Sequence, residues 1–324
     1  MSCVGGTVIS RQNKPLMRSE LVCVLLLLAL GFAIRLAALG ALPAGFNQDE
    51  ASAGYDAWAI LNYGIDRNGN ALPVLLKSWG SGQNALLSYL AMPFIALFGL
   101  SEVTLRLPMA LYGCASLVFM WLLARRARGA RFGLCALLFL SLCPWHVMAS
   151  RWALESNLLP AALLAAIYFA SLSEERPWAL LGSGVCFGLA LYAYGTAFFL
   201  LPPLLLYCVW RLRRTLKPAP FLVSFAVFIA LALPITLCQL RNMLGLPGTH
   251  FLGFTLPELT STRQSATSVF GSGLSGVRDN FLNLVRLLVT QSDGLPWNSG
   301  GGDCLPLRRT ARPIRCGARG AVPA

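Results

Sequence analysis

The chain has 324 residues, of which 56% are hydrophobic and only 12% are charged, and its formal net charge is +13. A soluble domain carries about 25% charged residues, so this composition excludes an ordinary soluble protein. The positive charge would suggest nucleic-acid binding in a soluble chain, but here Arg and Lys cluster at the ends of apolar runs, as in membrane proteins. We therefore predict an all-α polytopic membrane protein that binds no nucleic acid.

The first apolar run, residues 21–42, is interrupted by Arg35 and is too long for the apolar part of a signal peptide. We interpret it as an uncleaved first span. A crossing requires roughly 17–25 residues, and further uncharged runs of that length or more occupy residues 107–124, 132–150, 156–173, 177–210 and 218–240. The longest of these predicts two short crossings that turn near Gly195, which gives seven spans within residues 21–240.

Basic clusters set the expected orientation, because Lys and Arg collect in cytoplasmic loops. Arg11, Lys14 and Arg18 place the N-terminal residues 1–20 in the cytoplasm. The first span then leads into a large first outer loop at residues 43–102.

Within this loop, the segment Ala85–Leu100 is apolar but is interrupted by Pro93. If it crossed the membrane, the cluster "RRARGAR" at residues 125–131 would lie outside. If it lies flat in the outer interface, both this cluster and "RLRRTLK" at residues 211–217 are cytoplasmic. We therefore expect an interfacial helix here.

The composition changes after the last predicted span. Residues 241–300 are rich in Gly, Ser and Thr and are expected to form an outer loop. Residues 301–324 hold five arginines, no lysine and no apolar run. This tail is typical of a disordered basic segment or of a stretch translated out of frame, and we favour the second interpretation.

Acidic side chains crowd the expected outer face, although only 13 residues of the chain are acidic. Asp49 and Glu50 directly follow the first span, in the stretch "FNQDEASAGYD". A carboxylate held at the interface can take a proton from a hydroxyl within hydrogen-bond reach. Other outer acids, for which a polar loop is the simplest explanation, are the secondary candidates Asp56, Asp66, Glu102 and Glu155.

Basic side chains on the same face are candidates for binding a lipid-linked phosphate, for which Arg is especially suited. Lys77 lies in the first outer loop, and Arg106 and Arg151 lie at the outer ends of their spans. The alternative for each is an interface anchor that extends to the lipid headgroups. His146 is interpreted either as an interface residue or as a contact to phosphate or metal.

Several motifs recur in a defined order. The acidic pair within "NQDEASAGYDAW" is followed by an E-x-x-x-R-x-P pattern at residues 102–108, a P-W-H…S-R…E pattern at 144–155, and "LALYAYGTAFFLLPPLLL". Through them, residues 20–300 resemble bacterial membrane glycosyltransferases of family 39, which are relatives of the protein O-mannosyltransferases and of the aminoarabinose transferases that modify lipid A.

The resemblance implies a GT-C fold, in which a transmembrane helix bundle carries a large first outer loop with interfacial helices. It implies a sugar donor linked to polyprenyl phosphate, used on the outer side of the inner membrane. By this likeness Asp49 matches the catalytic aspartate and Glu50 its partner. Some relatives use a divalent cation, which carboxylates and His146 could hold, but the sequence does not define a metal site.

The expected function is transfer of the sugar to a hydroxyl of a protein, lipid or glycan, with Asp49 as the base. The relatives continue with further spans, so the chain resembles a truncated member, and one alternative is an inactive remnant. The other alternative is a transporter or flippase of lipid-linked glycans. Transporters usually place charged residues near the bilayer midplane, whereas here only Arg35 falls inside a span.

Overall fold

The computed structural model describes residues 17–78, 81–260, 276, 278–279 and 281–285. The chain divides into two units, Met1–Arg263 and Gln264–Ala324. In the second unit the described residues are helical. The predictions made for residues 1–16 and for the tail 301–324 lie outside the described residues.

The first unit is mostly helical, as predicted. Its α-helices are α1 (Arg18–Leu36), α2 (Gln48–Tyr63), α3 (Leu86–Phe98), α4 (Glu102–Arg128), α5 (Ala130–Leu142), α6 (Pro144–Arg151), α7 (Leu159–Leu172), α8 (Leu180–Ala193), α9 (Ala197–Leu212) and α10 (Pro218–Met243). Short 3₁₀-helices at Glu155–Leu158 and Pro177–Ala179 lead into α7 and α8. Two short hairpins are formed by β1 (Leu75–Ser78) with β2 (Ser81–Asn84), and by β3 (Thr249–Phe251) with β4 (Phe254–Leu256).

Among the described residues, four helical segments are long and apolar enough to cross a membrane, or five if the bent pair α5 and α6 counts as one span. The four are α1, α4, α7 with its preceding 3₁₀ turn, and α10. This length criterion confirms a multi-pass membrane protein. The predicted number of seven spans includes α8 and α9, which are shorter apolar helices, and it stays a prediction.

The predicted span 132–150 is not one helix. The chain bends by 62° between α5 and α6, and Pro144 is the first residue of α6. Proline has no N–H to donate and disfavours a helical conformation in the residue before it. Cys143 accordingly is extended, with φ −62° and ψ 112°.

The predictions for the apolar segments 85–100 and 177–210 came from placing the basic clusters in the cytoplasm, and the helix lengths agree with both predictions. Helix α3 has 13 residues, fewer than the roughly 17 that a crossing needs, and contains Pro93. The run 177–210 breaks between Ala193 and Ala197, at the predicted turn near Gly195.

Helices α8 and α10 pack closely because small residues face each other at their contact. A Cβ placed on Gly184 would lie 2.5 Å from the Ser224 carbonyl oxygen, so only glycine permits this approach. The Ser224 hydroxyl donates to the Leu180 carbonyl at 2.7 Å. Small residues and hydrogen-bonded hydroxyls are the usual means by which helices associate in lipid.

The hairpins were not predicted, and they join the segment between α1 and α3 to the segment after α10. The Val74 amide donates to the Thr255 carbonyl, and the Thr255 amide and hydroxyl both donate to the Ala71 carbonyl. The segment after α10 therefore packs on the first loop, at the same end of the helices.

Candidate active site

The site is built where the connection after α1 enters α2. Asn47 is the N-cap of α2, and its side-chain oxygen accepts from the Asp49 amide at 2.8 Å. In the reciprocal half of this capping box, the Glu50 carboxylate accepts from the Asn47 amide at 3.1 Å. The local sequence N-x-x-E thus fixes the start of the helix that carries both acids.

Glu50 is fully buried, and each of its carboxylate oxygens accepts two hydrogen bonds. Oε1 accepts from Arg106 Nε at 2.9 Å and from the Ala153 amide at 3.0 Å. Oε2 accepts from Arg106 Nη2 and from the Asn47 amide, both at 3.1 Å. A buried carboxylate with this number of donors is fixed in position.

Arg106 is also fully buried. Besides the two bonds to Glu50, its Nη1 donates to the carbonyls of Leu39 and Pro43, and its Nη2 donates to that of Gly45. All five guanidinium N–H groups are therefore engaged within the protein. In this arrangement Arg106 ties the end of α1 and its following turn to α2, and it is not positioned to bind a phosphate.

Asp49 differs from its neighbour. It is partly exposed, and its carboxylate makes no hydrogen bond or ion pair with any side chain or amide in the described part of the chain. Its backbone is held on both sides, because the amide donates to Asn47 and the carbonyl accepts from Gln83 Nε2 at 3.3 Å. The structure thus presents a free carboxylate on an immobilised backbone.

Arg151 closes the C-terminal end of α1. It is 7% exposed, and its guanidinium donates to the carbonyls of Ile34, Ala37, Ala38 and Leu42. Cations at a helix C-terminus are stabilised by the helix dipole and by the unpaired carbonyls. Arg151 also lines a cavity of about 630 Å³ between the α1–α2 connection and α6.

This cavity is largely apolar and begins beside the acidic pair. Its lining comprises Leu42, Pro43, Ala44, Gly45, Phe46, Asn47, Glu50, Val147, Met148, Arg151 and Trp152. Ligand sites typically combine such apolar walls with a few fixed polar groups. The volume and lining suit a largely apolar ligand.

Lys77 lies on β1, opposite Gly82 of β2. Its backbone carbonyl accepts from Arg67 Nη2 at 2.8 Å. Its ammonium group makes no hydrogen bond or ion pair within the described ranges. Because Gln83 of the same hairpin holds the Asp49 carbonyl, Lys77 and Asp49 are carried by elements that are tied together.

Asp56 and Asp66, the secondary acids of the loop, are buried and have local partners. Asp66 accepts from the amides of Asn68 and Asn70 and from the Asn70 side chain, which closes a tight turn. Asp56 Oδ1 accepts from the Arg67 amide at 3.1 Å, and Oδ2 lies 3.6 Å from Arg67 Nε. Burial raises the pKa of Asp56 to about 6, although the Arg67 amide and guanidinium act in the opposite direction.

Glu155 and Glu102 occupy different environments. Glu155 is buried in the 3₁₀ turn before α7, and its carboxylate accepts from the Asn84 amide at the end of β2. Glu102 is 43% exposed and lies 3.8 Å from Arg106. Glu155 anchors the hairpin to the helix bundle, whereas Glu102 is a surface residue.

His146 forms a pair with Arg35, the one charged residue inside the first span. Its Nδ1 lies 2.8 Å from Arg35 Nη2 and accepts that hydrogen bond. Arg35 is fully buried and also donates to the carbonyls of Gly31, Leu140 and Ser141. A neutral imidazole thus takes the place of a carboxylate partner for this buried cation.

No group of three or more His, Cys, Asp or Glu side chains suited to a metal occurs in the described part of the chain. His146 directs Nδ1 at Arg35, and Glu50 and Glu155 are engaged by protein donors. The divalent cation therefore stays a prediction, with Asp49 as the acid left open to a ligand.

Two residues of the site were missed from the sequence. Arg67 contacts Asp56, the Ser52 hydroxyl and the Lys77 carbonyl, and so joins α2 to β1. Gln83 joins β2 to Asp49. Both act through contacts between elements distant in sequence. The two strands of the hairpin have only four residues each, and neither shows the alternation of apolar and polar residues that predicts a strand.

The described part of the chain is thus a bundle of apolar helices in which an acidic pair begins α2. Comparisons with known proteins found two kinds of similarity. Residues 84–237 match the family model of the dolichyl-phosphate-mannose-protein mannosyltransferases. No curated protein matches the sequence.

The fold is similar to that of ArnT from Cupriavidus metallidurans in the apo state, with a TM-score of 0.55 and 20% sequence identity. The similarity covers 69% of this chain and 43% of that one. The structure of the same ArnT bound to undecaprenyl phosphate gives a TM-score of 0.48 at 19% identity, over 69% of this chain and 42% of that one. The fold is therefore similar to that of ArnT in the apo state, and the chain spans less than half the length of the ArnT structures that it matches.

Proposed function

We propose that this protein transfers a sugar from a polyprenyl-phosphate-linked donor to an acceptor hydroxyl at the outer face of the membrane, with Asp49 as the general base. The observation that carries the proposal is the contrast within the acidic pair. The Glu50 carboxylate is fixed in position by the four hydrogen bonds that it accepts. The adjacent Asp49 is partly exposed, and its carboxylate accepts no hydrogen bond from a described residue. The family match names a polyprenyl-phosphate sugar, and the apolar cavity beside the pair suits such a chain.

The reaction requires one proton acceptor. The acceptor oxygen attacks the anomeric carbon as Asp49 takes its proton, and the bond from that carbon to the phosphate oxygen breaks. The polyprenyl phosphate leaves with the electron pair. A phosphate is a stable leaving anion, so no acid is needed to protonate it, in contrast to the two carboxylates of a glycosidase. A single displacement inverts the configuration at the anomeric carbon.

Lys77 is the side chain that we propose to stabilise the charge developing on the phosphate. Its ammonium group is not engaged by a described residue, and its strand is held in place by Arg67. A preorganised cation at this position lowers the barrier because its interaction strengthens as the phosphate leaves. Arg106 and Arg151 contribute to the site by fixing the backbone around the acids.

The test is Asp49→Asn, assayed in purified protein with a panel of polyprenyl-phosphate-linked hexoses and pentoses. Loss of a general base costs about 10²–10⁴-fold in turnover. The matched control is Glu258→Gln, which also neutralises an exposed outer acid but lies outside the site. Turnover near wild type in Asp49→Asn, from correctly inserted protein, would refute the assignment of the base.

The predicted divalent cation is tested in the same assay. Turnover is measured in EDTA and again after addition of Mg²⁺ or Mn²⁺. Loss followed by recovery would support a cation at the site, and unchanged turnover would contradict it.

A further inference from the structure

A second cavity lies at the opposite ends of the helices, where α4 and α7 terminate. Its volume is about 230 Å³, and it is lined by Leu122, Arg125, Arg126, Tyr168, Leu172, Glu175 and Arg176. Three arginines and one carboxylate thus line the same cavity. We call it the basic cavity.

Arg126 is the buried member of the basic cavity, with 7% of its surface exposed. Its Nη2 donates to the Ser171 carbonyl at 2.9 Å and lies 3.2 Å from Glu175 Oε1. Its buried Nε has no acceptor in the described part of the chain. A buried N–H without a partner is unfavourable, so an acceptor that enters this cavity would be stabilised.

The single carboxylate does not close the basic cavity. Glu175 is 41% exposed, so its carboxylate is partly solvated and an incoming anion can compete with it for Arg126. Arg176 is exposed at the rim, and Arg125 packs its guanidinium over Trp121. Leu122 and Leu172 complete the lining, and they lie on α4 and α7, which belong to two of the segments long and apolar enough to cross a membrane.

We propose that the basic cavity binds the phosphate group of an anionic phospholipid. Arginine forks match phosphate oxygens, and basic pockets between membrane helices suit anionic headgroups. The positive-inside rule alone explains basic residues at helix ends. It does not require a buried arginine that lines a cavity and whose Nε has no acceptor in the described part of the chain.

The experiment measures lipid binding in the complete protein. Purified protein is incorporated into nanodiscs of phosphatidylcholine with a fixed fraction of phosphatidylglycerol, and lipid retained after extraction is quantified by native mass spectrometry. The variant Arg176→Gln removes a rim charge that faces the cavity. The matched control Arg128→Gln removes an exposed charge on the same helix end that lies over Phe132, outside the cavity.

We expect Arg176→Gln to lower phosphatidylglycerol retention about fivefold, the effect of one basic residue at an anionic surface. Arg128→Gln should retain lipid as wild type does. Glu175→Gln should raise retention, because it removes the competing carboxylate. An equal loss of phosphatidylglycerol retention in Arg176→Gln and Arg128→Gln would show that retention depends on general surface charge, and would overturn the proposal.

The source of the phosphate is tested separately. Inorganic phosphate at millimolar concentration is added to the nanodiscs. If it displaces phosphatidylglycerol, the ligand of the basic cavity is a soluble anion, and the proposal of a phospholipid is overturned. Persistent retention supports the lipid. The result is independent of sugar transfer, since Asp49→Asn should bind phosphatidylglycerol as wild type does.

Discussion

Glu50 and Arg106 form a fully buried, two-point ion pair, with Nε–Oε1 at 2.9 Å and Nη2–Oε2 at 3.1 Å. The ion pair connects the first turn of α2 to the N-terminal end of α4. Through the carbonyls of Leu39, Pro43 and Gly45 it also fixes the connection between α1 and α2. Glu50 therefore fixes the start of the helix that carries Asp49. The two adjacent carboxylates differ in their contacts, because Glu50 is engaged by protein donors and Asp49 is not engaged by any described residue.

Arg106→Met should destabilise the protein strongly. It would leave Glu50 buried without its cation, which costs about 3–5 kcal/mol and lowers the apparent melting temperature by about 10 °C. The measurement is thermal unfolding of the detergent-purified protein. Glu102→Gln is the control, because this acid is exposed and 3.8 Å from Arg106, and it should change stability by less than about 1 kcal/mol. Similar melting of both variants would contradict a structural role for the pair.

Asp56 should make stability depend on pH. Its pKa is raised to about 6 in the folded protein by burial, whereas the unfolded chain releases this proton near pH 4. Between these values the folded state binds more protons, so this contribution to stability falls as pH rises from about 4 to 6, by about 3 kcal/mol in total. Asp56→Asn lacks this contribution.

The measurement is the difference in unfolding free energy between wild type and Asp56→Asn across pH 4 to 8. Wild type should lose stability relative to the variant up to about pH 6, and the difference should then stay constant. A difference that does not vary with pH would show that Asp56 is ionised in the fold as it is in the unfolded chain.

The sequence was sufficient for the features that depend on hydrophobicity and charge. Uncharged length predicts the membrane helices, and the interruption at Gly195 is visible as a run too long for one crossing. The bend at Pro144 was signalled by the proline itself, yet the run 132–150 was interpreted as continuous because its hydrophobicity does not change there.

The roles of the individual side chains in the site were not predictable in the same way. Arg106 and Arg151 are of the residue type that binds phosphate. Only the structure shows that their guanidinium N–H groups donate to backbone carbonyls. His146 likewise was open to a metal or phosphate until its pairing with Arg35, 111 residues earlier, was visible. Such assignments depend on contacts between distant helices, for which one sequence carries no signal.

Arg67 should act on turnover through Lys77. Its guanidinium bridges Asp56, Ser52 and the Lys77 carbonyl, so Arg67→Met would release the strand on which Lys77 lies. We expect about a tenfold loss of turnover, typical of a group displaced from its productive position by a distant change. A double-mutant cycle with Lys77→Met is the measurement. In the Lys77→Met background Arg67→Met should have little further effect on turnover. Fully additive losses of turnover would show that Arg67 does not act through Lys77.

The membrane orientation is tested by labelling single cysteines with an impermeant reagent in intact cells. The structure refines the choice of positions, because Asp66 is 2% exposed and a label there would report burial rather than topology. Asn68, two residues later, is exposed in the same loop, and Arg128 is exposed at the other end of α4. Native Cys23 and Cys135 are exposed, so a background without cysteines is needed.

We expect labelling at position 68 in intact cells, and labelling at position 128 only after the membrane is permeabilised. The positive-inside rule places the cluster at residues 125–131 in the cytoplasm, and α4 with its 27 residues is long enough to separate the two positions by a full bilayer. Labelling at position 128 in intact cells would invert this orientation. Asp49 and its cavity would then face the cytoplasm, and the donor would have to be used on that side.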